Sequence, residues 1–328
     1  MKKINIGVLG VSNHLLKRII LPLNNISNGC IYAIASRNED NAAQFAKKFN
    51  IPKFYGSYEA LLNDPVINAV YIPLPNHLHL KWIKEAALKG KHIICEKPIT
   101  LNEDEAKQAL TYANNNKVLL QEAFMYKFHP QWIHALNLIR TNQLGQVKYI
   151  RTSFAYNNPN PNNIRNIKEF GGGAIMDIGC YAISLSRYIL QQEPSQVMAL
   201  MQHHESFKTD TLSTAILDFN GIHSLFTVST LTEANQSVEI VATDGIINIH
   251  IPFNTYVDTK SKITISTAQG SRDVEFNVCD QYGLMFENFC SKIIENETEN
   301  TEVKDAINNM KVIDALFKSS ETKSWVQI

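Results

Sequence analysis

Neither sign of charge dominates this sequence. Lys plus Arg and Asp plus Glu both number 31, so the formal net charge over 328 residues is zero. That disfavours a protein held to nucleic acid by bulk positive charge and suits a small, weakly charged ligand. Cysteine is scarce and odd in number: Cys30, Cys95, Cys180, Cys279 and Cys290 lie scattered, with no C-x-x-C. They read as reduced thiols rather than as a disulfide framework. No apolar run approaches the length of a membrane span. The opening MKKINIGVLGV has the lysines and apolar residues of a leader, but the run stops at Ser12-Asn13-His14 and no small-residue cleavage site follows. A cytoplasmic protein is therefore expected. Two histidine pairs, His77 with His79 and His203 with His204, are poorly disposed for metal. On a helix i and i+2 do not share a face, and neighbours on a strand point to opposite sides. No metal and no membrane partner are expected.

What is present falls into two halves. From residue 4 to about 122, short apolar runs (INIGVLGV, CIYAIAS, NAVYIPLP, KHIICEKP, KVLLQEAF) alternate with helix-like segments. That alternation predicts right-handed βαβ units and a doubly wound parallel sheet of Rossmann type over 1–122. After residue 123 one or two helices, a strand at VKYIRTSFAY and the polar loop NNPNPNNIRN lead to a glycine run and another helix. About seven strand-like segments then fill 195–278, separated by Asn220-Gly221, Asp244-Gly245 and Gln269-Gly270, as in an antiparallel meander. The fold class expected is α/β: the parallel domain, then an α+β domain over 123–328 with a large, mostly antiparallel open sheet.

Four places carry residues that composition does not explain. The first strand runs into a turn where a G-x-G-x-x-G fingerprint would put glycines at 10, 12 and 15; only Gly10 matches, with Ser12 and Leu15 at the others. Its place after a strand and before a helix suits a pyrophosphate, although a tight turn without a ligand reads equally well. The second strand ends in Ser36-Arg37, where a carboxylate would favour NAD and an arginine the 2′-phosphate of NADP; a surface arginine capping a turn is the plainer alternative. The third strand-end element is Glu96-Lys97-Pro98, on the side where open α/β sheets bind ligands. Further on, Gly171, Gly172 and Gly173 precede Asp177 and Tyr181, four residues apart and so on one helix face. The run reads either as a flexible turn before a buried helix or as backbone that admits a ligand.

Taken together these segments resemble the Gfo/Idh/MocA oxidoreductases, the glucose–fructose oxidoreductase and inositol dehydrogenase family. The resemblance rests on Gly7 and Gly10, ASR, YGSYEALLNDPVINAVYIPLPNHLH, GKHIICEKP, EAFMYKFHPQ and GGGAIMDIGCYAI, and covers essentially the whole chain. Tyrosine at position 181, rather than histidine, is similar to the aldose dehydrogenase, dihydrodiol dehydrogenase and sugar ketoreductase branch. The resemblance implies Lys97, Asp177 and Tyr181 as catalytic residues, and glycines that let the helix start approach the nicotinamide and substrate. It implies a cofactor site at Gly10, Ser12 and Asn13, at Ser36 and Arg37, at Pro73, Pro75, Asn76 and His79, and at Lys97, with Glu96 beside the nicotinamide ribose. Tyr126, His129 and Arg165 would line the substrate pocket. NADP is the expected cofactor, with NAD as the alternative, and the substrate is a sugar or polyol. A dinucleotide sensor and a nicotinamide-assisted glycosidase are other uses of the same fold. A homodimer, or a dimer of dimers, through the C-terminal sheet is expected, with alternating apolar residues of SLFTVST and VEIVAT on the open face.

Overall fold

Strand β1 (Ile4–Leu9) is almost continuously buried, as befits a strand covered on both faces of a parallel sheet. The computed structural model describes residues 3–12, 15–20, 22, 26–297 and 299–328. It divides into two compact units, Met1–Met125 with Asp280–Ile307, and Tyr126–Cys279 with Asn308–Ile328.

In the first unit β1 is joined by β2 (Gly29–Ala35), β3 (Lys53–Tyr55), β4 (Ala69–Ile72), β5 (His92–Cys95) and β6 (Leu120–Glu122). The sheet order is β3-β2-β1-β4-β5-β6 and every pairing is parallel. The order reverses between β1 and β4, which opens a crevice at the carboxyl ends of the strands. Helix starts follow the local chemistry of the sequence. Asn38, Ser57 and Asn102 each accept a backbone N–H in the first turns of Glu39–Phe49, Tyr58–Leu62 and Glu103–Asn115.

The helix Gln281–Ile294, capped by Asp280, also belongs to this unit and packs on β1 and β2. Phe286 meets Tyr71 edge-on at 5.3 Å, and Asn28 Nδ2 donates to the Glu287 carbonyl at 2.9 Å. Asn300 Oδ1 accepts from the Leu120 N–H at 2.7 Å. The sequence predicts one domain over 123–328, whereas Asp280–Ile307 belongs to the first unit. Apolar spacing shows that a helix has a buried face but not which sheet that face covers.

The second unit is built on nine strands in the order β14-β13-β12-β11-β7-β10-β9-β8-β15. Their ranges are β7 Val147–Asn157, β8 Gln196–His203, β9 Asp210–Phe219, β10 Ile222–Ser229, β11 Leu231–Ala242, β12 Ile246–Ile249, β13 Ser261–Thr267, β14 Gly270–Phe276 and β15 Val326–Gln327. Seven of them lie in 195–278, but they do not form one meander. β7 enters the middle of the sheet, parallel to β10 and antiparallel to β11.

The helix Cys180–Leu190 packs on β7, and the wide turn Ile175–Gly179 before it touches β7, β9 and β10. This covered face takes Phe226, Val228, Val238 and Ile240, each nearly inaccessible to solvent. The expectation that the apolar residues of SLFTVST and VEIVAT line the open face holds only for Leu225 and Val241, which alternate outward with Thr227 and Glu239, while those four face the covered side. No helix among the described residues is long and apolar enough to cross a membrane.

Candidate active site

At the crevice of the first unit, Gly10 sits just past β1 with φ +119°, a conformation that side-chain-bearing residues rarely adopt. Its N–H donates to the Ala35 carbonyl at 2.9 Å. A Cβ there would come within 3.0 Å of Leu74 and 3.6 Å of the Tyr58 hydroxyl, so Tyr58 also borders this turn. Ser12 Oγ accepts from the Leu15 N–H at 3.0 Å and caps the helical turn Leu15–Ile19, while Leu15 itself is buried. Asn13 lies outside the described residues. After β2, Ser36 Oγ accepts from the Asn38 N–H, and exposed Arg37 has no hydrogen-bond or ion-pair partner among the described residues.

The loop after β5 is held by buried groups from three other elements. Tyr71 of β4 donates to Glu96 Oε1 at 2.6 Å; burial and the Glu96 charge both push its phenol well above the usual pKa, so it stays a donor. His79 is buried, with Nδ1 2.9 Å from the Pro98 carbonyl and Nε2 2.8 Å from the Leu74 carbonyl. Burial pulls its pKa down, against the two carbonyls. Glu122 Oε1, at the end of β6, accepts from the Ile99 N–H at 2.8 Å. Lys97 therefore stands on a backbone fixed on both sides. His79 reaches the site through this loop and the Leu74 turn, where Pro73, Pro75 and Asn76 follow β4.

In the second unit the glycine run is packed against its own chain. The Gly173 N–H donates to the Arg165 carbonyl at 2.9 Å, and a Cβ on Gly172 would collide with that same carbonyl. A Cβ on Gly173, at φ +123°, would collide with the Asp210 carboxylate. Asp210 is buried on β9. Its Oδ2 accepts from the Ile175 N–H and the Ser213 hydroxyl, both at 2.8 Å; burial raises its pKa and these hydrogen bonds oppose the rise. The space where Gly172 and Gly173 would carry a Cβ is thus filled by Arg165 and Asp210, which gives both glycines a reason within the second unit itself.

Asp177 Oδ2 accepts from the Tyr156 hydroxyl at 2.6 Å and from Arg165 Nε at 2.9 Å. Tyr181, one turn on, packs its ring on Phe253 at 5.1 Å, Phe154 at 5.7 Å and Tyr126 at 6.0 Å. Two residues expected in the substrate pocket are enclosed instead. Tyr126 is buried behind Tyr181 with its hydroxyl 2.9 Å from Ser184 Oγ. His129 is buried and caps the helix Pro130–Arg140, its Nδ1 accepting from the Gln131 N–H. Burial lowers its pKa to about 4, so it is neutral near pH 7. Tyr156 and Asp210 escape the sequence reading because each is one polar residue on an otherwise ordinary strand.

A parallel sheet with a glycine turn at its switch point defines a dinucleotide-binding class of protein. Residues 4–124 match the GFO/IDH/MocA oxidoreductase family with an NAD-binding Rossmann fold, and residues 132–248 match the family's C-terminal domain. The chain is 34% identical to D-xylose 1-dehydrogenase (NADP(+)) 2 of Haloferax volcanii, over 98% of this chain and 99% of that one. It is 35% identical to trans-1,2-dihydrobenzene-1,2-diol dehydrogenase of Xenopus laevis, over 67% and 66% respectively. A crystal structure of a 3-ketoreductase from Actinomadura kijaniata, in complex with NADP and TDP-benzene, matches with a TM-score of 0.92 at 25% identity, over 97% of this chain and 98% of that one. The chain belongs to the GFO/IDH/MocA oxidoreductase family.

Proposed function

We propose that the protein is an NADP-preferring oxidoreductase that moves a hydride between the nicotinamide and a carbinol or ketone carbon of a sugar or polyol. The observation that carries this reading is the presence of Lys97 and Tyr181 at a particular separation along the chain. Solved variants of the Actinomadura ketoreductase replace a tyrosine by phenylalanine and a lysine by alanine or glutamate. Those two positions are as far apart along its chain as Lys97 and Tyr181 are here. The relatives are named for D-xylose, a trans-dihydrodiol and a 3-keto group, each a centre for carbon–oxygen redox chemistry.

The residues present fit a phosphorylated dinucleotide. The Gly10 turn, with a φ that glycine adopts readily and the Ser12 cap on the helical turn after it, supports a pyrophosphate at this strand end. Arg37 beside Ser36 offers an uncommitted guanidinium for a 2′-phosphate. Pro73, Pro75 and Asn76 would border the ring, and Glu96 the ribose. Bound NADP supplies a hydride acceptor in oxidation and a donor in reduction.

The chain's own residues handle the proton. Tyr181 takes it from the substrate hydroxyl during oxidation and returns it to the oxygen during reduction. A phenol with its ordinary pKa of about 10 is a weak base near neutrality, so Lys97 supplies the positive charge that favours the phenolate. Asp177 accepts a hydrogen bond from a neighbouring substrate hydroxyl. The same reading places the enzyme in the cytoplasm and pairs two copies through the open face of the nine-stranded sheet.

A panel of aldoses, polyols and keto sugars, followed by reduced-nicotinamide absorbance with NADP and with NAD, tests the assignment. Turnover is expected with NADP. Lys97→Ala and Tyr181→Phe should each lower kcat by at least ~100-fold while cofactor binding persists. Arg37→Ala should weaken NADP and leave NAD nearly unchanged. Near-normal turnover by Tyr181→Phe across pH would remove the tyrosine from the proton path. Cofactor that stays bound and cycles without net reduction would point to a glycosidase.

A further inference from the structure

Asp177 carries two donors on one oxygen, and neither comes from its own helix. Tyr156 reaches Oδ2 from β7, and Arg165 reaches the same atom from the loop that follows β7. The aspartate side chain is 13% exposed and the arginine 38% exposed, so the pair is sheltered on the aspartate side. Burial first, and then the Asp177 charge, push the Tyr156 phenol far above its ordinary pKa, so it remains a neutral donor. Asp177 in turn keeps the guanidinium charged, and that charge also reaches Tyr181.

The backbone supplies an independent observation. The Arg165 carbonyl accepts the Gly173 N–H, and the absence of a Cβ at Gly172 lets that carbonyl press against the glycine run. Arg165 is thus fixed at both ends, by its carbonyl to the start of the helix and by its Nε to the carboxylate one turn later. A side chain recruited only to touch a ligand would need neither tether.

We propose that Arg165 and Tyr156 are positioning residues for Asp177. One charged and one neutral donor saturate a single carboxylate oxygen, which favours the ionised form and fixes its rotamer. The substrate hydroxyl then meets an acceptor whose orientation is already set. This inference rests on the reading of Asp177 as a substrate-facing residue, and it moves Arg165 from a substrate contact to a support of one.

A double-mutant cycle on the NADP-loaded enzyme tests it. Arg165→Met and Tyr156→Phe are measured alone and in an Asp177→Asn background, with kcat, KM, the NADP dissociation constant and thermal unfolding as readouts. Each single variant should raise the substrate KM or lower kcat by ~10-fold or more, with NADP affinity unchanged. In the Asp177→Asn background the same changes should add almost nothing, because their target is gone. Arg165→Lys should recover part of the loss. Losses that simply add would overturn the inference, as would wild-type constants in both single variants when Asp177→Asn is impaired. An Asp177→Asn enzyme with wild-type constants would overturn the reading of the site together with the inference, so the two failures are distinguishable.

Discussion

Asp64 closes the loop before β4 by accepting three hydrogen bonds at once. Oδ2 takes the Tyr55 hydroxyl at 2.6 Å and Lys53 Nζ at 2.9 Å, and Oδ1 takes the Val66 N–H at 2.9 Å. These partners lower its pKa from 3.8 to about 2, Tyr55 contributing most. Because the folded pKa is depressed, this contribution to stability is present above the unfolded value and is lost as pH falls from about 3.8 towards 2. Urea unfolding of the native protein should therefore weaken across that window more steeply than that of Asp64→Asn. Parallel curves would show that the carboxylate contributes nothing there. Among single residues, legibility in the sequence depended on chemistry. Lys97 is conspicuous as a charge at the end of a buried strand, whereas the roles of Asp177 and Tyr181 come from the family resemblance and not from their spacing. Tyr156 and Asp210 do not stand out, since strand alternation gives the face a residue occupies but not its partner across the sheet.

At the scale of elements, the wide turn and helix from Ile175 to Leu190 depend on what lies in front of them. Asp210 ties down the first N–H of the turn and occupies the space where Gly173 would carry a side chain. Gly173→Ala meets both an unfavourable φ and a carboxylate, and should destabilise the protein by clearly more than ~1 kcal/mol. Gly270→Ala is the control. Gly270 has φ +129° but nothing within 4 Å of a Cβ, so the change isolates the backbone contribution. Equal losses in chemical denaturation would remove the role assigned to Asp210. Most elements could be read from the sequence, because capping residues and apolar spacing act locally. The parallel pairing of β7 with β10 could not, since it joins strands separated by a helix and two other strands. The glycine run was visible, but its reason was not, because the colliding groups arrive from residues 165 and 210.

At the scale of the whole molecule, the outward face of the nine-stranded sheet is the surface proposed above for a second copy. The register places Leu225 opposite Ile216, and Ile216 opposite Met198, while Leu200 is 69% exposed nearby. Arg151 pairs with Glu239 at 3.1 Å on the same face, so polar contacts are interspersed with the apolar ones. Light scattering at micromolar concentration should give at least twice the chain mass of 37.1 kDa, and Leu200→Glu with Leu225→Glu should shift it towards one chain. A wild-type monomer, or an unchanged assembly in the double variant, would rule this face out. The return of Asp280–Ile307 to the first unit has a separate consequence, in the order of synthesis. On the ribosome the six strands of the parallel sheet are complete long before the helix that supplies Phe286 to Tyr71 exists. All of Tyr126–Cys279 must be made in between, which takes on the order of ten seconds at ordinary translation rates. Through that interval the nascent sheet has one flank uncovered, and no single cut in the gene yields the first unit whole.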